Sequence, residues 1–552
     1  MSREPNRLRE PGDVSVAWCV LLGVLTVAVG GFAFVRAWAG AAGLGRAALI
    51  AAVVVLAGVT GLVVIVLRRQ KAASTWADDR GRFMNHVSDV RELTEKDSAA
   101  HAARLGADKA GPGVPIGTHV PGSMRLYATW EWVQLWILGP RAGKTTCVCV
   151  PQMLEATGPV LFTTNKIDGI PETIGPRSRL GRVWIHDVQG IVGEPAAWWW
   201  NPLTFVTDIA RAEKLADVFI TSSTSANDRQ DAYFTSTGKE TLARLLLAAA
   251  LDHRPITDVF RWANTEDHAD RENDPARILV AHGEADLGQA LLKTQTLNPR
   301  QRDGVYGTLR PWIAVLGSRA VRDWITDPAG RRRHFDPHAF VRSSDTLYLA
   351  SMEGGGTARA LTAALTVAVL SAAETYAAAQ PNGRLPVPLT AVLDEVANVC
   401  RWKELPDVYS HYGSRGIVVS AFFQSWPQGV EAFGQNGMEK LWSAANVRVA
   451  GAGLAQSTFL RSVSDAIGSR DVRRHSRSTG GSRGGASRQA SIGERRIFEV
   501  SDLTALPRGR AIALIAGTRA VLLRLDHYST RPYAQDVDAS KQWFAKRNGA
   551  RP

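Results

Sequence analysis

Two uninterrupted apolar runs open the chain, and the charges that flank them orient it. Residues 15–35 and 47–67 each hold about 21 apolar or small side chains and no charge, enough helix to cross a hydrocarbon core of about 30 Å. They predict two N-terminal transmembrane helices. A cleaved signal peptide fits poorly, because the first run is too long and the second follows closely. Arg3, Arg7 and Arg9 precede the first run and Arg68, Arg69 and Lys71 follow the second, with Arg36 and Arg46 in the loop between. This bias predicts a multi-pass protein of the cell membrane, with both termini and the body of the chain in the cytoplasm.

Beyond this two-helix membrane anchor (1–72) the pattern changes. Residues 73–120 are polar and rich in Ala and Gly, with Ala110-Gly111-Pro112-Gly113 near the end, and read as a tether. Short apolar runs at 160–163 and 183–186 then read as strands. From 207 to 344 the period is helical; in 239–251, for instance, Leu242, Leu245, Leu246 and Ala249 share one face. Strand-like runs return at 346–350, 389–393, 417–423 and 447–451. Residues 511–516 and 520–525 flank Gly517-Thr518-Arg519 as a β-hairpin. A third long apolar stretch, 356–379, carries Arg359 and Glu374 and leads into a strand, which predicts a core helix and not a third span. The whole predicts an α/β domain over 121–206 and 345–537 with an all-α domain, 207–344, inserted into it. The sheet is expected to be mostly parallel, with ligands at its carboxyl edge. Residues 538–552 read as a C-terminal tail.

Charge narrows the partners without choosing one. The 552 residues carry a formal +13, which suits a polyanion, either nucleic acid or an anionic leaflet. Eight arginines fall among the Ser and Gly of 469–496, a segment too polar to bury a core and read as a flexible loop. The four cysteines have no metal-site spacing and suggest no disulfide framework.

The chemistry concentrates in two places. Residues 139–146 read Gly139-Pro140-Arg141-Ala142-Gly143-Lys144-Thr145-Thr146, between the apolar run 132–138 and a helix-like stretch. Such a turn presents successive backbone N–H groups to the phosphates of a nucleotide, a lysine to its terminal phosphates and a hydroxyl to Mg²⁺. The spacing is one residue short of the usual phosphate-loop pattern, which leaves the role of Gly139 open; the bland alternative is an ordinary strand-to-helix turn. About 250 residues later, the run 389–393 ends in Asp394-Glu395. A strand-end Asp can hold Mg²⁺ and an adjacent Glu can polarise water, although an acidic pair can equally cap a helix.

Taken in order, several segments resemble the conjugative type IV coupling proteins (TraG/TraD-like), one group of hexameric DNA-pumping ATPases. They are 138–146, Thr164-Asn165-Lys166-Ile167-Asp168, the run 181–203 ending in Trp200-Asn201-Pro202-Leu203, Leu393-Asp394-Glu395-Val396-Ala397-Asn398, Gly413-Ser414-Arg415-Gly416-Ile417 and Phe423-Gln424-Ser425. The resemblance covers most of the chain from Leu126 to about Tyr533. It implies a RecA-like P-loop NTPase core and a homo-hexamer beneath the membrane. It also implies delivery of DNA, with a relaxase or relaxosome protein, to type IV secretion channel components. ATP and Mg²⁺ are the implied cofactors. By position, Lys144 and Thr145 bind phosphate and Mg²⁺, Asp394 holds the metal, Glu395 activates water, Gln424 senses the γ-phosphate and Arg415 acts as an arginine finger. Lys166 and Asp168 can equally be turn residues.

Competing readings are a septal-type DNA translocase, a protein-secretion ATPase, and a membrane scaffold with weak ATPase activity. The helical insertion, and the lack of a recognisable C-terminal winged helix, favour the coupling proteins.

Overall fold

In a computed structural model of the chain, the described residues are 75–224, 231–265, 273–352, 356–399, 402–479 and 486–549. The two N-terminal apolar runs, and the orientation drawn from them, lie outside these residues. The chain divides into two compact units, 1–76 and 77–552, and the second holds the sheet.

Eleven strands form that sheet, in the order β2-β1-β15-β14-β11-β3-β10-β9-β4-β8-β5. From β11 (Val447–Gly451) through β3 (Gln134–Ile137), β10 (Ile417–Phe423), β9 (Leu389–Leu393), β4 (Val160–Thr164) and β8 (Thr346–Ala350) to β5 (Val183–His186), every neighbouring pair is parallel. Beyond β11 the pairing turns antiparallel, through β14 (Arg510–Ile515), β15 (Val521–Arg524), β1 (Val114–His119) and β2 (Arg125–Ala128). The expected hairpin is the β14–β15 pair.

The central strands are apolar and buried along their whole length, as a sheet covered on both faces requires. Alternation then sorts their side chains between two cores. Leu135, Ile137, Leu161, Val419 and Phe423 enter one; Trp136, Leu138, Phe162, Val418 and Phe422 enter the other.

The helices follow from the same economy of apolar surface. On the first core lie α4 (Ile209–Ser223), α5 (Ala232–Leu251) and α6 (Pro299–Ile313) of the helical segment, with shorter helices between them. The stripe Leu242, Leu245, Leu246 and Ala249 is fully buried there. A short parallel pair, β6 (Trp198–Trp199) and β7 (Arg333–His334), closes the neck of this segment. Its core is continuous with that of the sheet. Helix α7 (Gly356–Ala378) is long and apolar enough to cross a membrane, yet its apolar window, Arg359–Ala378, is 78% buried inside the protein. Arg359 donates to the Ser222 carbonyl at 2.9 Å, so the stretch is a core helix.

Three expectations are corrected. Residues 75–120 are folded and not a tether: they include α1 (Glu95–Arg104) and the sheet strand β1, with Ala77, Val90, Leu93 and Ala102 buried. Small residues here serve close approach, since a Cβ on Gly113 (φ 147°) would lie 2.2 Å from the Ala128 carbonyl oxygen. The 469–496 segment is a two-stranded antiparallel ribbon, β12 (Ser469–Thr479) with β13 (Ala486–Arg496), paired without a break in register. Backbone pairing of this kind needs no apolar face, and the base is fastened by Ile497 N–H to the Gly468 carbonyl at 3.1 Å. Arg470 also lies 3.8 Å from the centre of the Phe83 ring. Most of the C-terminal tail belongs to α10 (Ala534–Gly549), docked on α3 (Ile170–Ser178). There Ser540 Oγ donates to the Pro171 carbonyl at 2.7 Å and accepts from Gly175 N–H at 2.9 Å, while Val537 and Phe544 are buried.

Candidate active site

The phosphate-loop candidate begins where β3 leaves the sheet. Leu138 N–H still bonds the Phe423 carbonyl at 3.1 Å, and Gly139 N–H bonds Ala452 at 2.9 Å. Gly139 then crosses the backbone at Gly453 so closely that a Cβ would meet its carbonyl oxygen at 2.3 Å. A glycine is required here by that crossing, a role independent of any phosphate. Further on, Arg141 (φ 59°) and Gly143 (φ 88°) are left-handed while Lys144 is right-handed. Such alternation turns successive N–H groups to one side and makes an anion nest. The loop is one residue short, and the helical turn after it is one residue wider than an α-turn: over Thr145–Cys149 the bonds span five residues, Val150 N–H reaching the Thr145 carbonyl. The α-helix proper, α2 (Val150–Glu155), follows.

The carboxylates arrive from two strands away. Asp394 and Glu395, each 4% exposed, follow β9 directly. The Asp394 carbonyl accepts the Thr163 hydroxyl of β4 at 2.9 Å. Glu395 holds a left-handed backbone, φ 55°, which is strained for a residue with a Cβ. Its carbonyl then accepts Asn398 N–H at 2.8 Å, turning the chain into a short helix.

These two segments meet. Lys144 Nζ is 2.8 Å from Asp394 Oδ1 and also pairs with Glu395. Thr145 Oγ1 is 3.5 Å from Asp394 Oδ2. Gln424, at the end of β10, donates to Glu395 Oε1 at 2.7 Å. Burial pushes the Asp394 carboxyl above its ordinary range, with Lys144 opposing and Glu395 adding to the rise. Burial also works against the Lys144 charge, but Asp394 and then Glu395 outweigh it, so the ammonium is held above its usual range.

All of these side chains face one cleft of about 490 Å³, with Gly139, Pro140, Arg141, Gly143 and Thr146 on its loop side. Ala142 is buried behind the loop, its N–H bonded to the Gly139 carbonyl at 3.3 Å. Thr164, Asn165, Lys166 and Asp168 line the other side with Gly169 and Glu172. Glu172 accepts Gly169 N–H at 2.9 Å at the start of α3. Sequence reading did not single out Gly169, Glu172 or Gln428, the last of which touches Glu395. The signal for Gln428 was its place four residues after Gln424. Arg415 does not line the cleft: it ends α8 (Leu405–Ser414) at the amino end of β10, whereas the cleft opens at the carboxyl ends. A larger cleft, about 730 Å³, opens beside the helical segment, but its Arg254 and Arg261 are already paired with Asp258.

The donor set fits Mg²⁺ with a nucleotide. Mg²⁺ prefers one or two protein oxygens, with phosphates and water completing six, and Thr145 Oγ1 and Asp394 supply such a pair. No cluster of three His, Cys, Asp or Glu occurs among the described residues, and a nucleotide-borne metal needs none.

The family model described as "TraM recognition site of TraD and TraG" matches residues 388–508, from the start of β9 to just before β14. No curated protein matches the chain in sequence. Among solved structures, the bacterial conjugative coupling protein TrwBdeltaN70, in its unbound monoclinic form, superposes with a TM-score of 0.55 at 14% identity, covering 79% of this chain and 91% of that one. The plasmid coupling protein TrwB in complex with the GTP analogue GDPNP gives 0.51 at 13%, covering 71% and 85%. TrwB with the ATP analogue ADPNP gives 0.50 at 13%, covering 73% and 87%. In fold and in the matched segment, the chain is similar to the type IV coupling proteins, as its sequence motifs suggest.

Proposed function

We propose that this chain is a membrane-anchored ATPase that delivers a relaxase–DNA complex to a type IV secretion channel during conjugation, working as a homo-hexamer. One observation carries the reading: Lys144 and Thr145 after β3, Asp394 and Glu395 after β9, and Gln424 after β10 converge on a single cleft at the carboxyl edge of a parallel sheet. The match to a TraM recognition site supports a relaxosome protein as partner for residues 388–508. The N-terminal apolar runs support the anchor, and the +13 charge suits DNA.

In this reading Thr145 and Asp394 hold Mg²⁺, which neutralises charge on the phosphates when bound. A polyphosphate offers Lys144 more negative charge than the two carboxylates it now bridges, and so draws the ammonium toward itself. Glu395 is then free to take a proton from water, in a site where Gln424 still holds one of its oxygens. Arg415 reaches a neighbouring subunit's cleft as an arginine finger.

Glu395→Gln tests the assignment. The amide keeps the shape but cannot accept the proton, so kcat for ATP is expected to fall about 10²–10⁴-fold while nucleotide binding is retained. Turnover at the wild-type rate would remove Glu395 from the mechanism.

A further inference from the structure

We propose that Gln428 is a positioning residue for Glu395, holding the base of the hydrolytic step by an amide that also fixes the Gln424 backbone. The proposal rests on the reading of Glu395 as that base.

Helix α9 (Trp426–Ala444) begins after Ser425, whose hydroxyl accepts Gln428 N–H at 3.4 Å. Ser425-Trp426-Pro427-Gln428 therefore has the form of a capping box, in which a Gln at the third helical position reaches back to a backbone N–H. Gln428 does so one residue early. Its Oε1 accepts Gln424 N–H at 2.9 Å, and its Nε2 lies 3.5 Å from Glu395 Oε2. The orientation of the amide is determined by chemistry: only oxygen can accept from Gln424 N–H, so the NH₂ end must face Glu395.

The result is a closed circuit. Gln424 Nε2 donates to one oxygen of Glu395 at 2.7 Å, Gln428 Nε2 faces the other, and Gln428 Oε1 ties the two glutamines together. Glu395 needs such support, because its backbone is in a strained left-handed conformation. Lys144 supplies a further contact, but that ammonium is the group a triphosphate would attract. The two amides are neutral and keep their hold on the carboxylate when Lys144 turns away. Both act as donors, so they suit a carboxylate that must begin the step ionised.

A plain helix cap and a positioning residue predict different behaviour for two variants. Gln428→Glu keeps an acceptor for Gln424 N–H, since Ser-x-x-Glu is as good a capping box, but it removes the donor to Glu395 and sets a second carboxylate beside it. Gln428→Ala removes both functions. In the full-length chain, both variants are expected to lower kcat for ATP about ten- to a hundredfold, as loss of a hydrogen bond to a charged group does. KM is expected to stay unchanged, and melting curves verify that the protein is folded at the assay temperature. Wild-type kcat in Gln428→Glu, with or without a lowered melting temperature in Gln428→Ala, would reduce Gln428 to a cap and overturn the proposal. Glu395→Gln is measured alongside. If it turns over normally, the reading of Glu395 fails first and the role of Gln428 with it; if it is inactive while Gln428→Glu is not, only the present proposal fails.

Discussion

Lys144→Ala lowers ATP turnover by about 10²–10³-fold, the usual cost of removing one charged donor from a site where charge develops. The measurement is steady-state phosphate release by the full-length chain. The substitution also disturbs the resting site, because Lys144 is the ammonium paired with two adjacent carboxylates that are each 4% exposed. The pH dependence of that disturbance has a definite sign. Burial already holds Asp394 above its ordinary 3.8, and Lys144 opposes the rise. Without Lys144 the folded state keeps its proton to still higher pH than the unfolded chain does. Between those two values the folded state binds more protons, so stability falls as pH rises. Urea unfolding should therefore show a deficit relative to wild type that widens as pH rises through the range in which Asp394 ionises in the folded wild type, a range that itself lies above the ordinary 3.8. A pH-independent deficit would mean that Asp394 and Lys144 are not coupled as described.

Arg177→Met is expected to be the most damaging substitution away from the cleft. Arg177 is fully buried on α3. Its Nε donates to Thr346 Oγ1 at 2.7 Å; its Nη1 reaches the carbonyls of Ala156 and, at 3.5 Å, Met153; its Nη2 reaches Gly158 at 2.9 Å and Ser344 at 3.0 Å. One guanidinium thus caps the carboxyl end of α2, the helix that begins at the phosphate loop, and ties it to the amino ends of β4 and β8. Methionine fills much of the same volume but satisfies none of these acceptors. At about 1–3 kcal/mol for each buried group left unpaired, the loss should be at least about 3 kcal/mol, read as a lower urea midpoint with an unchanged slope. A midpoint equal to that of the wild type would show that the acceptors find other donors.

The sheet was legible because its strands are continuous apolar runs, a pattern set by burial on both faces. Short runs such as 389–393 and 417–423 therefore appear where expected, and α7 is recognisable as a core helix by its Arg359 and Glu374. That Gly143, Lys144, Thr145, Asp394, Glu395 and Gln424 share one cleft follows a different signal, since the proposed phosphate chemistry would restrict both residue type and position. What escaped was stabilised by backbone or by single polar contacts. Residues 75–120 looked like a tether because alanine and glycine allow close crossings without raising hydrophobicity. The ribbon β12–β13 looked like a loop because main-chain pairing leaves no apolar signature in an Arg- and Ser-rich sequence. The helix α10 escaped because few of its residues are buried, with Ser540 making the specific contact. Arg177 looked like any charged helical residue, because nothing local in the sequence reports that five acceptors surround it. Spacing alone leaves the role of Gly139 open, and its reason lies in Gly453, more than 300 residues away in the chain.

The most direct test is the rate of ATP hydrolysis by the 552-residue chain, reconstituted in lipid vesicles, with and without DNA. The expected result is hydrolysis that rises on adding DNA, falls back steeply as salt is raised, and disappears in Lys144→Ala. Hydrolysis that is indifferent to DNA at every salt concentration, or that persists in Lys144→Ala, would contradict a DNA-delivering ATPase built on this cleft.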